Sequence, residues 1–358
     1  MELLIIGGTG TISAAVALAA ISRGMDVTLV NRGHDTGRPV PEGADVVIAD
    51  ARDPGQLRSA LGGREFNTVV DFVAFTAEHV TQDVETFTGR AGQFIFISSA
   101  SAYAKPVTRL PITESTPLRN PFWQYSRDKI SAEDVLVRAH REQGFPATIV
   151  RPSHTYDHTK VPIGGWTVVE RMRAGKPVFV PGDGTSLWTL THATDFAAAF
   201  VRLFGRSDVL GEAFHITSDD AATWDAIYRT FGAAAGVEPD LVHVPSDVIA
   251  RLDAEAGAGY LGDKSHSVVF DNSRIKRVAP GWSTQVTLEE GARQVVEWHD
   301  ADESRRRIDP ATDRLHERAT SLLRQVGAAD PVPAGTARRG GSALVELAGL
   351  GERRGDLA

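Results

Sequence analysis

The sequence predicts an α/β fold in which parallel strands alternate with helices. Its first apolar run, residues 3–6, breaks into a glycine-rich turn, and a helix of small residues and a second apolar run follow. Together these pieces span about thirty residues, the length of a βαβ unit. Further short apolar runs, each ending in polar or small residues, alternate with helical segments up to residue 152. The predicted fold class is therefore a Rossmann-type doubly wound parallel sheet, followed by a smaller α/β substrate-binding region at the C-terminus.

The turn after the first strand reads Gly7-x-x-Gly10-x-x-Ser13, with a serine where a third glycine is usual. In a βαβ unit such glycines let the backbone approach a pyrophosphate, whose charge the helix N-terminus attracts. Serine is small enough for the close packing of helix and strand that the third position requires. The alternative interpretation is a tight glycine turn that binds no ligand.

The second strand, residues 26–30, ends in Asn31 and Arg32. An acidic residue at this place normally holds the ribose 2′-hydroxyl of NAD, whereas an arginine accommodates the 2′-phosphate of NADP. Since Asn31 replaces the acid and Arg32 follows it, the sequence favours NADP over NAD. Alternatively, Arg32 only stacks on the adenine ring.

Four more strands are predicted, at residues 46–50, 68–74, 93–99 and 147–152. Asp53 and Pro54 begin the helix after the first of them, as N-cap and first helical residue. Ligands of open α/β sheets bind beyond the C-terminal ends of the strands. The residues at those ends are Asp50, Val73, Ala74, Ser98, Ser99 and Ser153. Asp50 either contacts adenine or serves as a turn or cap residue.

Tyr125 and Lys129 lie four residues apart and hence on one face of a helix. A lysine ammonium one turn away favours the phenolate form and lowers the pKa of the tyrosine. The phenol then exchanges a proton with a substrate oxygen, which a serine at a nearby strand end, Ser99, would hold. Such a pair also occurs by chance on solvated helix faces, so its meaning depends on the nucleotide site upstream.

The composition narrows the class of protein. Hydrophobic residues make up 42% and charged residues 23% of the chain, and the net charge of −8 attracts neither nucleic acid nor an anionic membrane. There is no cysteine, so disulfides and cysteine-ligated metals are excluded. No apolar run approaches the ~20 residues of a membrane span. The apolar N-terminal run is too short for a signal peptide, and we expect a cytoplasmic enzyme without nucleic-acid or membrane partners.

The chain resembles the extended short-chain dehydrogenase/reductase superfamily, in its nucleotide-sugar epimerase/dehydratase group. The resemblance covers roughly residues 1–300 and rests on motifs in the family's order and spacing. The N-terminal motifs are Gly7-Gly8-Thr9-Gly10, Ser98-Ser99-Ala100-Ser101-Ala102-Tyr103, Tyr125-Ser126-Arg127-Asp128-Lys129 and Arg151-Pro152-Ser153-His154. The later ones are Gly182-Asp183-Gly184, His192-Ala193-Thr194-Asp195 and residues 270–276.

The resemblance implies a role for each matching residue. Ser99, Tyr125 and Lys129 would be catalytic, and Lys129 would also bind the nicotinamide ribose. The expected cofactor-binding residues are Gly7, Thr9, Gly10, Thr11 and Ile12 at the pyrophosphate, Asn31, Arg32, Asp50 and Ala51 at the adenosine, and Val73, Ala74, Ser98, Pro152 and Ser153. The expected substrate-binding residues are Ser101, Tyr103, His154, Trp166 and Trp188. No metal site is expected.

Two departures from the family pattern bear on the substrate. Members that act on nucleotide diphosphate sugars usually carry an arginine shortly before the His-x-x-Asp motif, where this chain has Trp188. A neutral indole cannot replace a bidentate phosphate clamp, although it can stack on a base or a sugar. This puts a nucleotide diphosphate sugar in doubt and favours a smaller glycoside, nucleoside or cyclitol. The run Phe72-Val73-Ala74-Phe75 also departs from the family's more polar pattern.

After residue 152 the pattern is looser. The segment 154–158 contains two histidines, His154 and His158, and is either a metal cluster or a loop with one substrate-contacting histidine. Trp166 either lines the pocket or packs in the core. His215 and His243 alternate with apolar neighbours and are expected to be structural. An amphipathic helix over residues 288–299 is the last well-patterned element.

The expected domains are a dinucleotide-binding domain at residues 1–152 with returning segments, a mainly substrate-binding region at 153–310, and a partly disordered tail at 311–358. Within the tail, residues 334–341 are expected to be disordered and 343–350 to form a weak helix. The resemblance also implies a homodimer formed through helices 78–88 and 125–143.

The resemblance implies an NAD(P)-dependent epimerase that oxidises a sugar or sugar-like substrate transiently to a ketone. One alternative is an NADPH-dependent ketoreductase or dehydrogenase. A dehydratase is less favoured, because Ser101-Ala102 stands where an acidic pair is usual. A non-catalytic RNA-binding or regulatory protein is the alternative of a different class, since the run around Gly182 also resembles the chloroplast stem-loop RNA-binding branch. Retention of Ser99, Tyr125 and Lys129 argues against it.

Overall fold

The computed structural model describes residues 1–33 and 38–328. Its strands are β1 (Glu2–Ile6), β2 (Asp26–Asn31), β3 (Asp45–Ile48), β4 (Thr68–Asp71), β5 (Phe94–Ile97), β6 (Ala147–Pro152), β7 (His154–Tyr156), β8 (Val178–Pro181), β9 (Leu187–Trp188), β10 (Leu190–His192), β11 (Ala213–Ile216), β12 (Ala222–Thr223) and β13 (Leu241–Val244). Its α-helices are α1 (Thr11–Ile21), α2 (Pro54–Leu61), α3 (Ala77–Phe87), α4 (Gln124–Gln143), α5 (Trp166–Arg173), α6 (Ala193–Phe200), α7 (Trp224–Ala234), α8 (Ser246–Leu252), α9 (Ala254–Gly259), α10 (Ser273–Val278), α11 (Leu288–Asp300) and α12 (Pro310–Ala328).

Seven strands form one sheet in the order β11-β6-β5-β4-β1-β2-β3, and every neighbouring pair is parallel. The strand order reverses beside β1, which pairs with β2 on one side and β4 on the other. In such sheets the crevice at the reversal is where ligands bind. The predicted doubly wound α/β fold is therefore confirmed.

The first strand shows why a wholly apolar run marks a buried parallel strand. Side chains alternate between the two faces of a sheet. Leu3 and Ile5 pack into a core beneath α1 and α6, whereas Leu4 and Ile6 pack into the opposite core with α2, α3 and α4. All four side chains are fully buried.

The region after β6 builds a second core and returns one strand to the main sheet. Three two-stranded sheets, β7 with β10, β9 with β12, and β8 with β13, surround a cluster that includes Trp166, Trp188, Trp224 and Phe270. Strand β11 instead pairs with β6. The polypeptide thus runs from the main sheet into the C-terminal region and back, which places both along one cleft.

Helix α12 follows the last well-patterned element that the sequence predicted, residues 288–299. Its Leu315 and Ala319 are buried beside Phe179 and Val244. Arg171 on α5 donates to the Asp313 carboxylate at 2.6 Å and to the Glu317 carboxylate at 2.9 Å. The first part of the predicted tail, up to residue 328, is therefore a packed helix, and the expectations for 334–341 and 343–350 lie outside the described residues.

Among the residues described, no helix combines the length and apolar character that crossing a membrane requires.

Candidate active site

A cavity of about 940 Å³ lies at the C-terminal ends of the central strands and runs from the glycine turn to α4. Eighteen of the residues predicted from the sequence line it. They are Gly7, Thr9, Gly10, Thr11, Ile12, Asn31, Arg32, Asp50, Ala51, Val73, Ser98, Ser99, Ser101, Tyr125, Lys129, Pro152, Ser153 and His154. Residues far apart in sequence thus meet in one cleft at the reversal of the strand order.

The glycine turn leaves its backbone open to a ligand. Gly7 has φ of +83°, and a side chain here would clash with Val73. Ser13, at the third motif position, donates from Oγ to the Gly7 carbonyl at 2.6 Å and accepts from the Gly10 amide at 2.8 Å. The serine therefore stabilises the turn by hydrogen bonds as well as allowing close packing. It lies in the first turn of α1, which begins at Thr11.

The adenosine end of the cavity is built by the ends of β2, β3 and β4. The Asn31 side-chain oxygen accepts from the Gly8 amide at 3.1 Å, while Arg32 is exposed at the cavity wall. The Asp50 carboxylate accepts from the Arg52 amide at 2.9 Å, as a turn residue does, and also lines the cavity. Both interpretations of Asp50 are compatible with this placement.

The wall next to Val73 and Ala74 is held by a buried carboxylate. Asp71, fully buried at the end of β4, accepts from the Val73 amide at 2.6 Å and the Ala74 amide at 2.7 Å. Its other oxygen forms an ion pair with Arg52, which also pairs with Asp83 at 3.3 Å. This network fixes the turn after β4 that faces the predicted nicotinamide end.

Ser99 and Tyr125 lie at the other end of the cavity. The Ser99, Ser101 and Ser126 hydroxyls form a chain with both oxygen–oxygen distances at 2.8 Å. Burial raises the pKa of Tyr125 above its usual value, and its interaction with the Ser99 hydroxyl opposes this rise. The sequence predicted a lowered pKa for this phenol; here desolvation dominates, and the direction is corrected.

The position of the Lys129 ammonium explains why the pKa of Tyr125 is not lowered. Its ammonium donates to the Ala74 carbonyl at 2.6 Å and to the Ile97 carbonyl at 2.7 Å, and it lies 5.8 Å from the centroid of the Tyr125 ring. The ammonium is therefore directed at main-chain oxygens and not at the phenol oxygen. Burial lowers the pKa of Lys129 to about 8, although the carboxylates of Asp71 and Glu133 oppose this.

His154 lies on β7, half-buried at the cavity wall. Burial lowers its pKa well below the usual value, and the ammonium groups of Lys264 and Lys160 lower it further. The imidazole is therefore neutral at pH 7, available to donate or accept a hydrogen bond. His158 lies instead against Trp298, and residues 1–33 and 38–328 contain no group of three His, Asp or Glu side chains placed to hold a metal ion.

Four predicted site residues do not line the cavity. Ala74 contributes its carbonyl to Lys129. Tyr103 is fully buried, with its hydroxyl 3.0 Å from His215 Nδ1 and 3.3 Å from Arg151. Trp166 stacks on His299 at 4.4 Å, and Trp188, 2% exposed, stacks on Trp224 at 5.0 Å. The expected substrate contacts of Tyr103, Trp166 and Trp188 are corrected to packing roles, because their side chains point into the C-terminal core.

Several lining residues were not predicted as site residues. They are Phe75, His79, Trp123, Lys160, Asp263, Lys264, Val268 and Phe270. Trp123 stands only two residues before Tyr125, so its proximity was available from the sequence. Asp263 and Lys264 follow Tyr125 by more than 130 residues in the chain, and no local pattern indicates that they return to its cavity.

The donor set fits a dinucleotide. The open glycine backbone and the N-terminus of α1 are suited to a pyrophosphate. The residues predicted to bind the adenosine and the ribose line the same cavity: Asn31, Arg32, Asp50 and Lys129. The same cavity extends to Ser99 and Tyr125.

Comparison with known proteins agrees with the geometry. Residues 3–216 match the model of the NAD dependent epimerase/dehydratase family. The crystal structure of UDP-glucose 4-epimerase from Thermotoga maritima superposes with a TM-score of 0.69 at 21% identity, covering 84% of this chain and 99% of that one. The structure of dTDP-glucose 4,6-dehydratase from Bacillus anthracis in complex with NAD gives 0.69 at 18%, covering 85% and 98%.

Among curated relatives, a chloroplast stem-loop binding protein of Arabidopsis thaliana is 28% identical over 256 residues. The match covers 68% of this chain, and the chain spans only 65% of that relative's length. Because the family model covers more than half of the sequence and the fold agrees with that of the solved enzymes, this chain belongs to the NAD dependent epimerase/dehydratase family, whose members are oxidoreductases of the short-chain dehydrogenase/reductase type.

Proposed function

We propose that the protein is an NAD(P)-dependent epimerase of a sugar or sugar-like substrate. The observation that carries the proposal is the meeting of the glycine turn with Ser99, Tyr125, Lys129 and His154 in one cavity. The glycine turn supplies a place for the cofactor, and the hydroxyl groups of Ser99 and Tyr125 supply groups that hold and protonate a substrate oxygen.

In this proposal a bound nicotinamide ring supplies the acceptor and later the donor of a hydride. Tyr125 takes the proton of the substrate hydroxyl as the carbonyl forms and returns it when the carbonyl is reduced from its other face. Ser99 donates a hydrogen bond to that same oxygen. His154, a neutral imidazole, binds a neighbouring substrate hydroxyl.

The protonation state of Tyr125 supports the half of this cycle in which the carbonyl is reduced. Because burial raises the pKa of Tyr125, the phenol carries its proton at neutral pH and is ready to donate to a carbonyl. The ammonium of Lys129 orients the cofactor ribose and contributes positive charge to the cavity. The oxidation half needs the phenolate of Tyr125, which the positive charge of a bound oxidised nicotinamide would favour.

The cavity also supports a wider choice of substrate than the sequence suggested. The doubt about nucleotide diphosphate sugars rested on Trp188, and that side chain lies outside the cavity. Lys160 and Lys264 line the cavity near His154 and would attract an anionic group. We therefore retain nucleotide sugars beside nucleosides and glycosides as substrate classes, and NADP stays slightly favoured because of Arg32.

The first test uses purified protein, UDP-glucose, dTDP-glucose and UDP-glucuronic acid as probes, with NAD or NADP added. An epimerase converts a probe to its epimer without a net change in nicotinamide absorbance. NMR monitors the conversion of each probe. Tyr125→Phe should abolish conversion, whereas Tyr156→Phe, a buried phenol outside the cavity, should preserve it. Conversion that survives Tyr125→Phe would exclude the mechanism.

Two other functions give different readings in the same experiment. A ketoreductase consumes NADPH in a fixed ratio to product, and mass spectrometry of copurifying small molecules would identify its cofactor. The similarity to a stem-loop binding protein supports an RNA-binding function, against which stand the net charge of −8 and the retained Ser99, Tyr125 and Lys129. Tight, salt-sensitive binding of a stem-loop RNA, without conversion of any probe, would replace the epimerase proposal.

A further inference from the structure

A single π turn, Tyr260–Lys264, places two charged residues in the cavity that contains Tyr125. The turn directly follows α9 and is far in sequence from the glycine motif. Single π turns are rare and are frequently found at functional sites. Asp263 and Lys264 line the cavity on this turn, and Asp263 has no role in the proposed mechanism.

The turn is fastened to the catalytic end of the cavity through Asn120. This buried amide donates from Nδ2 to the Ser101 carbonyl at 2.9 Å and to the Gly262 carbonyl at 2.7 Å. Its oxygen accepts from the Phe122 amide at 3.1 Å and from the Trp123 amide at 3.2 Å, immediately before α4. One side chain thus joins the segments that carry Ser99, Tyr125 and Asp263.

Gly262 permits this close approach. A β-carbon at this position would lie 2.7 Å from Cβ of Trp123 and 3.0 Å from the Asn120 side-chain oxygen. The first distance is too short for a real contact and the second is unusually tight, so any larger residue would push the turn away from α4. The position of Asp263 relative to Tyr125 is therefore fixed by packing as well as by hydrogen bonds.

Asp263 lies at the cavity beside a buried lysine, Lys105. Its carboxylate is 19% exposed and lies 3.7 Å from the Lys105 ammonium, beyond hydrogen-bonding distance. Within residues 1–33 and 38–328 the fully buried Lys105 ammonium lacks a hydrogen-bond partner, and the Asp263 carboxylate is its ion-pair partner. The Asp263 carboxylate is partly exposed to the cavity, so its oxygens are available to accept hydrogen bonds from a polar ligand.

We propose that Asp263 is a substrate-positioning residue that accepts a hydrogen bond from a hydroxyl of the sugar ring. Lys105 is its buried countercharge, which keeps the carboxylate ionised in a desolvated place. The substrate class is therefore a polyhydroxylated ring with a free hydroxyl beside the reacting carbon. This inference rests on the proposed function and adds a second contact to the ring, from the C-terminal region.

The test uses calorimetry to measure binding of two probes to the NAD-loaded protein. The probes are UDP-glucose and UDP, which lacks the glucose ring. In Asp263→Asn the dissociation constant for UDP-glucose should rise about 10- to 100-fold, the loss expected for a hydrogen bond to a charged group. Affinity for UDP and for NAD should not change. Glu255→Gln, an exposed carboxylate on α9, is the matched control and should bind both probes normally.

Asp263→Asn leaves the Lys105 ammonium buried without a countercharge and can destabilise the fold. The double variant Lys105→Met/Asp263→Asn removes both charges and keeps the test valid, since it should lose UDP-glucose affinity while unfolding at the wild-type temperature. UDP-glucose binding that both variants retain would overturn the inference alone. Failure of the wild type to bind UDP-glucose, dTDP-glucose or UDP-glucuronic acid would overturn the nucleotide-sugar function, and the inference with it.

Discussion

At the level of single residues, Asn31 and Arg32 bear on whether the adenosine end of the cavity accommodates the 2′-phosphate of NADP. The side-chain oxygen of Asn31 is occupied by the Gly8 amide at 3.1 Å, and an amide carries no negative charge that would repel a 2′-phosphate. Arg32 is exposed beside it and available to pair with such a phosphate. The proposed preference for NADP rests on these two residues and stays a prediction.

Replacing Arg32 with alanine should weaken NADP binding about tenfold or more, because a charge-assisted hydrogen bond contributes about 1.5–3 kcal/mol. NAD binding should be nearly unchanged. The measurement is a titration of each cofactor against intrinsic tryptophan fluorescence, with Arg23→Ala as the control, an exposed arginine outside the cavity. Equal weakening of both cofactors would indicate that Arg32 stacks on adenine and does not bind the phosphate.

Single residues also show where sequence reasoning ends. The lining positions near the glycine turn and at the strand ends were predictable, since strand ends converge whatever the side chains are. Trp188 and Tyr103 stood at motif positions, yet their rings point into the core. The direction of a side chain depends on the register of its strand or turn against distant neighbours, which a local motif does not specify.

Helix α12 illustrates the same limit for a whole element. Its inward face presents Leu315, His316, Ala319 and Thr320, all buried. Two of these four are polar, so the apolar period that marks an amphipathic helix is weak in the sequence. His316 is placed by the tertiary structure: it stacks on Phe179 at 4.0 Å, and its Nδ1 accepts from the Phe179 amide at 3.1 Å.

The docking of α12 should depend on pH through His316. Burial lowers the pKa of this imidazole to about 3, against about 6.5 in an unfolded chain. The neutral imidazole therefore stabilises the fold fully above pH 6.5, and this contribution is lost as the pH falls towards 3. At pH 5 the loss is about 2 kcal/mol.

Urea unfolding at pH 7 and pH 5 measures this contribution. His316→Asn keeps an acceptor for the Phe179 amide but cannot take up a proton, so its free energy of unfolding should fall about 2 kcal/mol less between the two pH values than that of the wild type. His158→Asn, an exposed histidine, should behave as the wild type does. Parallel pH dependences for His316→Asn and wild type would show that another group governs acid sensitivity.

At the scale of the whole molecule, the candidate site forms where segments distant in the sequence come together. The main sheet supplies the cofactor side, β7 supplies His154, and the π turn at Tyr260–Lys264 closes the cavity beside Tyr125. The first of these was predictable because its motifs are local. The last was not, because it depends on one amide, Asn120, that links carbonyls separated by more than 150 residues.

The homodimer implied by the family resemblance stays a prediction, and α3 and α4 are where it is tested. The two helices pack side by side over one face of the sheet, and Thr81 and Ser131 are exposed on them. Light scattering should give twice the 38.5 kDa of the chain.

Thr81→Arg combined with Ser131→Arg should produce monomers, because each arginine would bury an unpaired charge in the interface. Ser59→Arg, exposed on α2, should leave the dimer intact. A wild-type monomer, or a dimer that the double variant preserves, would remove these helices as the interface.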